Sequence, residues 1–532
     1  MRYTTLLAVP GHIFLASCYH FESQGKLGVT PAQQACDYLH SQFPNATHLP
    51  NTTFYNIDNT DFWSQASALG PACDFAPSCA EDLGWTVKVL KHFNSPFAMR
   101  GGGHMPIEGF NNINASGVLL SSSGFKQLHL EPDGQSLHVG PGNHWVDVYR
   151  FLEPFGKVVV GGRLGVVGVP GFVTGGGISF FSWQHGWSSN NIKSFTGVLA
   201  NGEVVTATPD NRFADLFWAL RGGGNSFMLV TDIEMTTYEA PVVTLDITAH
   251  GTLENGTASA GDYIDALYDF AIHGSADDAK ASIIPLINTS NTELFSSELS
   301  YTTYRFYDGN VSSTPKALEN FTTPNLPVVS DSFSPKTMYG WSEETGPQFS
   351  ATEGLRQRFY IIPLYASKEA LTIVIRTYFD LVFDGLANVE TWFTGLSPIP
   401  VSERFINASH SPNGHGLPDG DPMGAEVSSY FRVEFALSYN DDAANEHIIT
   451  SFLERAESAI MGNLTEAGLI DQVSKFLYLN DADKGQDVWG GYPKENVRKL
   501  QQIREKCDPQ RVFTDLMSGG WTVANYVVTD DY

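Results

Sequence analysis

Three glycines stand in a row between an arginine and a histidine at Arg100-Gly101-Gly102-Gly103-His104, and this stretch limits the possible folds of the chain more sharply than any other. Glycine lets a backbone come close to a ligand and turn successive N–H groups toward an anion, a concavity that suits a pyrophosphate. The residues ahead of it, Pro96-Phe97-Ala98-Met99, read as a buried strand, and Glu81 to His92 carries Leu83, Val87 and Leu90 at helical spacing. The two common phosphate loops do not fit. A nucleoside triphosphate loop needs Lys-Ser/Thr after its glycines, where this chain has His104-Met105. The Gly-x-Gly-x-x-Gly spacing of a dinucleotide crossover is missing as well.

Two further glycine-rich stretches follow. Gly161 to Gly177 holds eight glycines in seventeen residues, and a helical run, Asp215-Leu216-Phe217-Trp218-Ala219-Leu220, leads into Arg221-Gly222-Gly223-Gly224-Asn225. Three such loops in one region imply an extended, phosphate-bearing cofactor lying against backbone. Around them are strand and turn units at Gly117 to Leu120, His138 to Gly142 and Gly197 to Val205, the last with a hairpin turn at Asn201-Gly202. This is an α+β region. From about 242 to 470 glycine thins, Ala370 to Phe383 reads as an amphipathic helix and Tyr430 to Ser438 alternates like a strand, which marks a second domain. A last helix, Lys494 to Lys506, is closed by Asp508-Pro509.

With 532 residues, 42% of them hydrophobic and only 17% charged, the chain has the material for a large core. Its 31 Lys+Arg stand against 58 Asp+Glu, a net charge of −27, which argues against nucleic acid or an anionic membrane as partner and for a small molecule. No run of 18 apolar residues is present, so no membrane-spanning helix is expected. Arg2, the uncharged stretch Tyr3 to Ala16 and the small residues Ala16 and Ser17 read as a signal peptide over 1–20. Sequons begin at Asn45, Asn51, Asn114, Asn255, Asn288, Asn310, Asn320, Asn407 and Asn463, so a secreted glycoprotein is expected. Removal of Cys18 leaves Cys36, Cys73, Cys79 and Cys507, expected as structural disulfides whose pairing stays open, and no spacing fits a metal site.

Taken together, these segments resemble the flavoproteins with a vanillyl-alcohol-oxidase (PCMH) type FAD-binding domain, and within them the berberine-bridge-enzyme-like oxidases of fungal type. The resemblance runs from about Cys36 to Gly519 and rests on Pro96 to His104, Gly168 to Gly177, Asp215 to Asn225, Tyr478-Leu479-Asn480 and the tail Asn496 to Phe513 with Cys507-Asp508-Pro509. It implies an α+β fold. A two-sheet FAD-binding domain (77–241) would follow an N-terminal segment (21–76). An α+β substrate domain with an antiparallel sheet (242–475) would come next, and a C-terminal segment (476–532) would return to the FAD domain.

The resemblance implies FAD bonded through its 8α-methyl to His104, with Arg100, Gly101, Gly102, Gly103 and Met105 around the attachment loop. It implies further cofactor contacts from Gly165, Gly168, Val169, Gly171, Thr174, Gly175, Gly176 and Asn480. Relatives often carry a cysteine that forms a second bond four residues before Gly168; here Leu164 stands there, so a single link and a less oxidising flavin are implied. Val169 falls where the family admits or blocks oxygen, and valine goes with oxidases; it reads equally as a plain β-branched core residue. Tyr478 is expected to line the catalytic site. Asp481 follows Asn480 where plant relatives have a tyrosine base, and it reads either as a base or as a solvated acid at a strand end.

His410, His415, Glu434, Tyr360 and Arg432 lie in the substrate domain and read first as surface or strand-pairing residues. Phe180-Phe181-Ser182-Trp183 offers an apolar wall, though aromatic runs are usually core. The implied activity is that of an oxidase that takes a hydride from a small organic substrate with O2 as acceptor and tailors a secondary metabolite. The alternatives are a secreted alcohol or carbohydrate oxidase and a non-catalytic flavin-binding glycoprotein. The oligomeric state stays open.

Overall fold

The strand that runs into the triple glycine forms one edge of a four-stranded sheet in the computed structural model, which describes residues 28–251, 260–292, 298–410 and 420–529. The strands are β1 (Thr47–His48), β2 (Cys73–Phe75), β3 (Phe97–Arg100) and β4 (Val118–Ser121), in the order β1-β2-β4-β3 with β4 parallel to both its neighbours. Helix Ala80–Phe93 covers this sheet with Leu83, Val87 and Leu90 buried, as their spacing predicts. Two of its strands, β1 and β2, precede residue 77, so residues 47–75 contribute to this sheet.

A second, antiparallel sheet follows with β5 (Leu128–Leu130), β6 (Ser136–Val139), β7 (Lys157–Val159), β8 (Ile192–Val198), β9 (Val204–Ala207) and β10 (Leu229–Glu239), the last a long central strand. The β8–β9 hairpin turns at Asn201-Gly202, where Gly202 takes φ +79°. The two small sheets are the α+β framework that the sequence implies.

The third sheet is antiparallel and eight-stranded: β11 (Val243–His250), β12 (Ala281–Ser290), β13 (Ser300–Tyr307), β14 (Val328–Ser330), β15 (Ser334–Lys336), β16 (Arg356–Tyr365), β17 (Trp392–Val401) and β18 (Tyr430–Tyr439). One face is covered by helices Lys368–Gly385 and Asn445–Glu466, whose apolar stripes bury Leu371, Val374, Tyr378, Ile449, Phe452 and Ile460. Each such side chain contributes about 1.5–3 kcal/mol on burial. The other face looks toward the first two sheets. Strand parity decides which residues arrive there: on β18, Phe431, Val433 and Phe435 face the helices, and the alternate residues, Arg432 and Glu434, line the cavity.

The chain then returns. Met517 bridges to Phe97 of β3, and Ser518 donates its N–H to the Phe97 carbonyl at 2.7 Å. Asp508 explains the Cys507-Asp508-Pro509 sequence: its buried carboxylate accepts from the backbone N–H of Val512 at 2.8 Å and of Phe513 at 2.7 Å and pairs with Arg504 at 2.8 Å.

Two expectations change. Among the described cysteines one bridge forms, Cys36–Cys73, tying helix Pro31–Gln42 to β2, while Cys79 and Cys507 remain thiols; burial pushes the Cys507 thiol up to about 11. The Asn288 sequon lies inside β12 between β13 and β17, whereas the asparagines at 45, 51, 114, 310, 320, 407 and 463 are exposed. The signal peptide (1–20), Asn255 and His415 lie outside the described residues.

Candidate active site

Between the first two sheets and the open face of the third runs a cavity of about 300 Å³, and all three glycines of the first loop lie on its wall. The loop owes its path to close backbone contacts. A Cβ on Gly102 would sit 2.4 Å from the Cα of Gly168, and one on Gly101 would sit 2.5 Å from the Pro170 ring, so the two glycine loops touch with no space for side chains. Gly103 takes φ +69° and faces the carbonyl of Asp61. Beneath the loop, the guanidinium of Arg100 is bound by the carbonyl and carboxylate of Asp58 and by Ser121 Oγ at 3.0 Å. Arg100 does not line the cavity; it anchors the loop from below, a correction to its expected cofactor contact. Asp58 belongs to a buried group with His48 and Asp74: the Asp74 hydrogen bond at 2.9 Å raises the imidazole, and burial pushes the Asp74 carboxyl up to about 7.

His104 turns into the cavity. Its ring stacks on Trp63 at 4.3 Å between centroids and meets the edge of Phe349, and neither ring nitrogen has a hydrogen-bond partner among the described residues. Burial, reinforced by the nearby His144, pushes its pKa down to about 3, so the imidazole is neutral with a lone pair available. His144 Nε2 lies 2.9 Å from the Gly102 carbonyl, holding the loop from the side.

The second glycine loop contributes Gly168, Gly171 and Thr174 to the wall, together with Met105 from the first. Gly165, Val169, Gly175 and Gly176 do not line it. Val169 is fully buried at the start of helix Val169–Thr174, so it is a core residue and not a gate open to the cavity. Gly165 is backed by Ser342, and Gly176 by Met423. Gly175 makes room for another chain segment: a Cβ there would meet Asn480 Oδ1 at 2.1 Å. Asn480 donates from Nδ2 to the Phe172 carbonyl at 3.1 Å and to the Tyr478 hydroxyl at 3.0 Å, and that hydroxyl also accepts the Gly177 N–H at 3.1 Å. The C-terminal segment is thereby clipped into the glycine loop. Burial raises the Tyr478 phenol, against the opposing influence of Asn480, Arg432 and Arg163, so Tyr478 lines the site as a protonated phenol and not as a base.

On the far wall, Arg432 lies 5.4 Å above the Tyr478 ring, pairs with Glu434 Oε2 at 3.1 Å and contacts the Asp481 carboxylate. Asp481 is therefore a paired acid at the cavity, not a solvated one. Glu434 Oε1 has no partner among the described residues. Phe359 on β16 shares this wall, while its neighbour Tyr360 points to the helix side, as parity demands. His410 is exposed at the end of helix Glu403–His410. Phe180, Phe181 and Trp183 are core, with Phe180 stacked on Phe306 at 4.7 Å.

Sequence reasoning missed Trp63, Arg163, Asn225, Phe359 and Trp521, all at or beside the cavity. Only Arg163 left a signal, as a cation amid glycine and apolar residues.

The donor set fits FAD. Backbone without side chains lines one side, and an unpartnered neutral imidazole faces in. Comparison with known proteins agrees. Residues 71–208 match the family model described as FAD binding domain. A FAD-dependent monooxygenase of Penicillium roqueforti is 31% identical over 539 aligned residues, covering 98% of this chain and 99% of the relative. The fold is shared with berberine bridge enzyme in complex with (S)-reticuline, at a TM-score of 0.69 and 15% identity over 91% of this chain and 98% of that one. It is also shared with glucooligosaccharide oxidase from Acremonium strictum, studied for its 6-S-cysteinyl, 8α-N1-histidyl FAD, at a TM-score of 0.67 and 20% identity over 91% and 98%.

Proposed function

The chain belongs to the berberine-bridge-type family of FAD-linked oxidoreductases, and on that premise we propose that it oxidises a small organic molecule, a secondary metabolite, with FAD covalently held at His104. The observation that carries this reading is the His104 imidazole: neutral, without a hydrogen-bond partner, fixed by Trp63 and open to the cavity beside three glycines. A neutral imidazole is the nucleophile that attachment to the flavin methyl requires. The chemistry FAD brings is hydride acceptance, with O2 as the final oxidant and hydrogen peroxide as its product.

The chain's own residues do the rest. Gly101, Gly102, Gly168 and Gly171 let backbone approach the cofactor, and Leu164, at the wall, offers no second attachment. Glu434 takes the proton the substrate loses, because its Oε1 is uncommitted while Arg432 steadies the rest of the carboxylate. Tyr478 and Asn480 fix the floor of the site. The apolar side chains of Phe110, Phe359 and Trp521 exclude water and favour an aromatic or polyketide-like substrate over a sugar. The relative in Penicillium roqueforti is named a FAD-dependent monooxygenase, which is in keeping with a tailoring role. Secretion is supported by the seven exposed sequons and the Cys36–Cys73 bridge.

Acid denaturation tests the central point. Flavin absorbance stays with the polypeptide, and the proteolytic peptide containing His104 carries the added mass of FAD; flavin that washes off overturns the covalent link. Peroxide release on a panel of phenolics, alcohols and sugars tests the substrate reading, and turnover confined to sugars overturns it.

A further inference from the structure

Five of the buried arginines have a carboxylate: Arg100 pairs with Asp58, Arg305 with Asp246, Arg358 with Asp483, Arg432 with Glu434 and Arg504 with Asp508. Arg163 differs. It lies on the cavity wall between Gly162 and Leu164, its carbonyl held by Trp341 Nε1 at 2.9 Å, and its side chain has no ion pair among the described residues. Its Nη1 is buried with no acceptor. Burial and the charge of Arg432 push its pKa down to about 9, while Glu434 and Tyr478 oppose that shift, so the group is cationic at neutral pH. A buried guanidinium nitrogen without an acceptor is costly, and the planar fork matches a carboxylate or an ionised enol. The neighbouring cation, Arg432, is by contrast ion-paired with two acids.

We propose that Arg163 is the substrate-binding residue for an anionic oxygen, so that the substrate is an organic acid, either a carboxylic acid or an acidic enol or phenol. This rests on the flavoenzyme reading of the same cavity. The neighbouring groups then divide the work: Arg163 accepts the negative oxygen, and the carboxylates paired with Arg432 stand where the reacting hydrogen leaves. The substrate is thereby oriented by charge in a cavity whose other contacts are mostly apolar.

The test uses the purified holoprotein with benzoate and benzamide, probes of one shape that differ in charge, and dimedone as an enolic acid. Calorimetry reads affinity with or without flavin, and absorbance of the same preparation reads flavin content. Benzoate binds about tenfold or more tighter than benzamide, Arg163→Gln removes that preference, and Arg163→Lys keeps part of it. A stronger response to dimedone than to benzoate identifies an enol in place of a carboxylate and supports the same role. Equal wild-type affinities, no detectable benzoate binding, or a preference that survives Arg163→Gln overturns the proposal. If Arg163→Gln instead moves the flavin midpoint potential and leaves the benzoate preference intact, the guanidinium serves the cofactor and the proposal fails. A preparation without flavin breaks the flavoenzyme reading, while the wild-type comparison of benzoate with benzamide still decides the arginine.

Discussion

The two walls of the cavity are built from different material. The wall made by the two glycine loops is backbone against backbone, with Gly102 and Gly168 so close that neither tolerates a Cβ. The wall on the third sheet is made of side chains, Phe359, Arg432 and Glu434, presented by regular strands with no special backbone. The contrast separates two kinds of constraint. A cofactor held by backbone fixes which residues are missing, and a substrate held by side chains leaves every strand position open to exchange.

His104→Ala breaks the first wall most severely: all covalently retained flavin is lost, measured as absorbance in the acid-precipitated protein. Glu434→Gln probes the second wall. It lowers turnover by about a hundredfold or more while covalent flavin stays at wild-type level, since the proposed base is removed without disturbing the loops. Equal loss of flavin in both variants would erase the distinction between the walls. Gly102→Ala drives a Cβ into Gly168 and lowers stability by about 1–3 kcal/mol in chemical denaturation, with flavin content falling alongside.

The buried group under the first wall adds a pH effect. The folded pKa values of Asp74 and His48 are both raised, so the fold binds their protons more tightly than the unfolded chain does. Their stabilisation is complete below the unfolded carboxyl value and is lost as pH rises through about 7. The wild-type Tm therefore falls between pH 5 and pH 8 by more than that of Asp74→Asn, as scanning calorimetry at the two pH values would read. The smallest effect sharpens the comparison: Gly171→Ala meets no protein atom within 4 Å and sits in helix Val169–Thr174, so the Tm of flavin-free protein is unchanged or slightly raised.

How much of this was legible follows from the same contrast. Gly101, Gly102, Gly103 and His104 announce themselves because a glycine run between charged or polar residues has no packing explanation. Helix Ala80–Phe93 and strand β18 were readable from their periods of 3.6 and 2. Arg432 and Glu434 were not, because alternate polar residues on a strand look like any solvated face until the sheet is known to cover a cavity. Val169 and Gly175 misled in the opposite way: they sit in the loop but serve its packing, Val169 in the core and Gly175 as room for Asn480, some 300 residues away. Trp63 left no trace, since an aromatic in an irregular segment has no period to mark it. The Asn288 sequon shows that a three-residue match carries no information about the strand that contains it.

The clip between Asn480 and the Gly175 loop has a consequence for how the protein is made. Tyr478, Asn480, Met517 and Trp521 all come from the last stretch of the chain, yet they complete a cavity whose first residues are near position 100. While the ribosome is still synthesising that stretch, the site lacks its floor. A molecule entering this cavity would therefore meet a complete floor only after that last stretch has folded against the glycine loop.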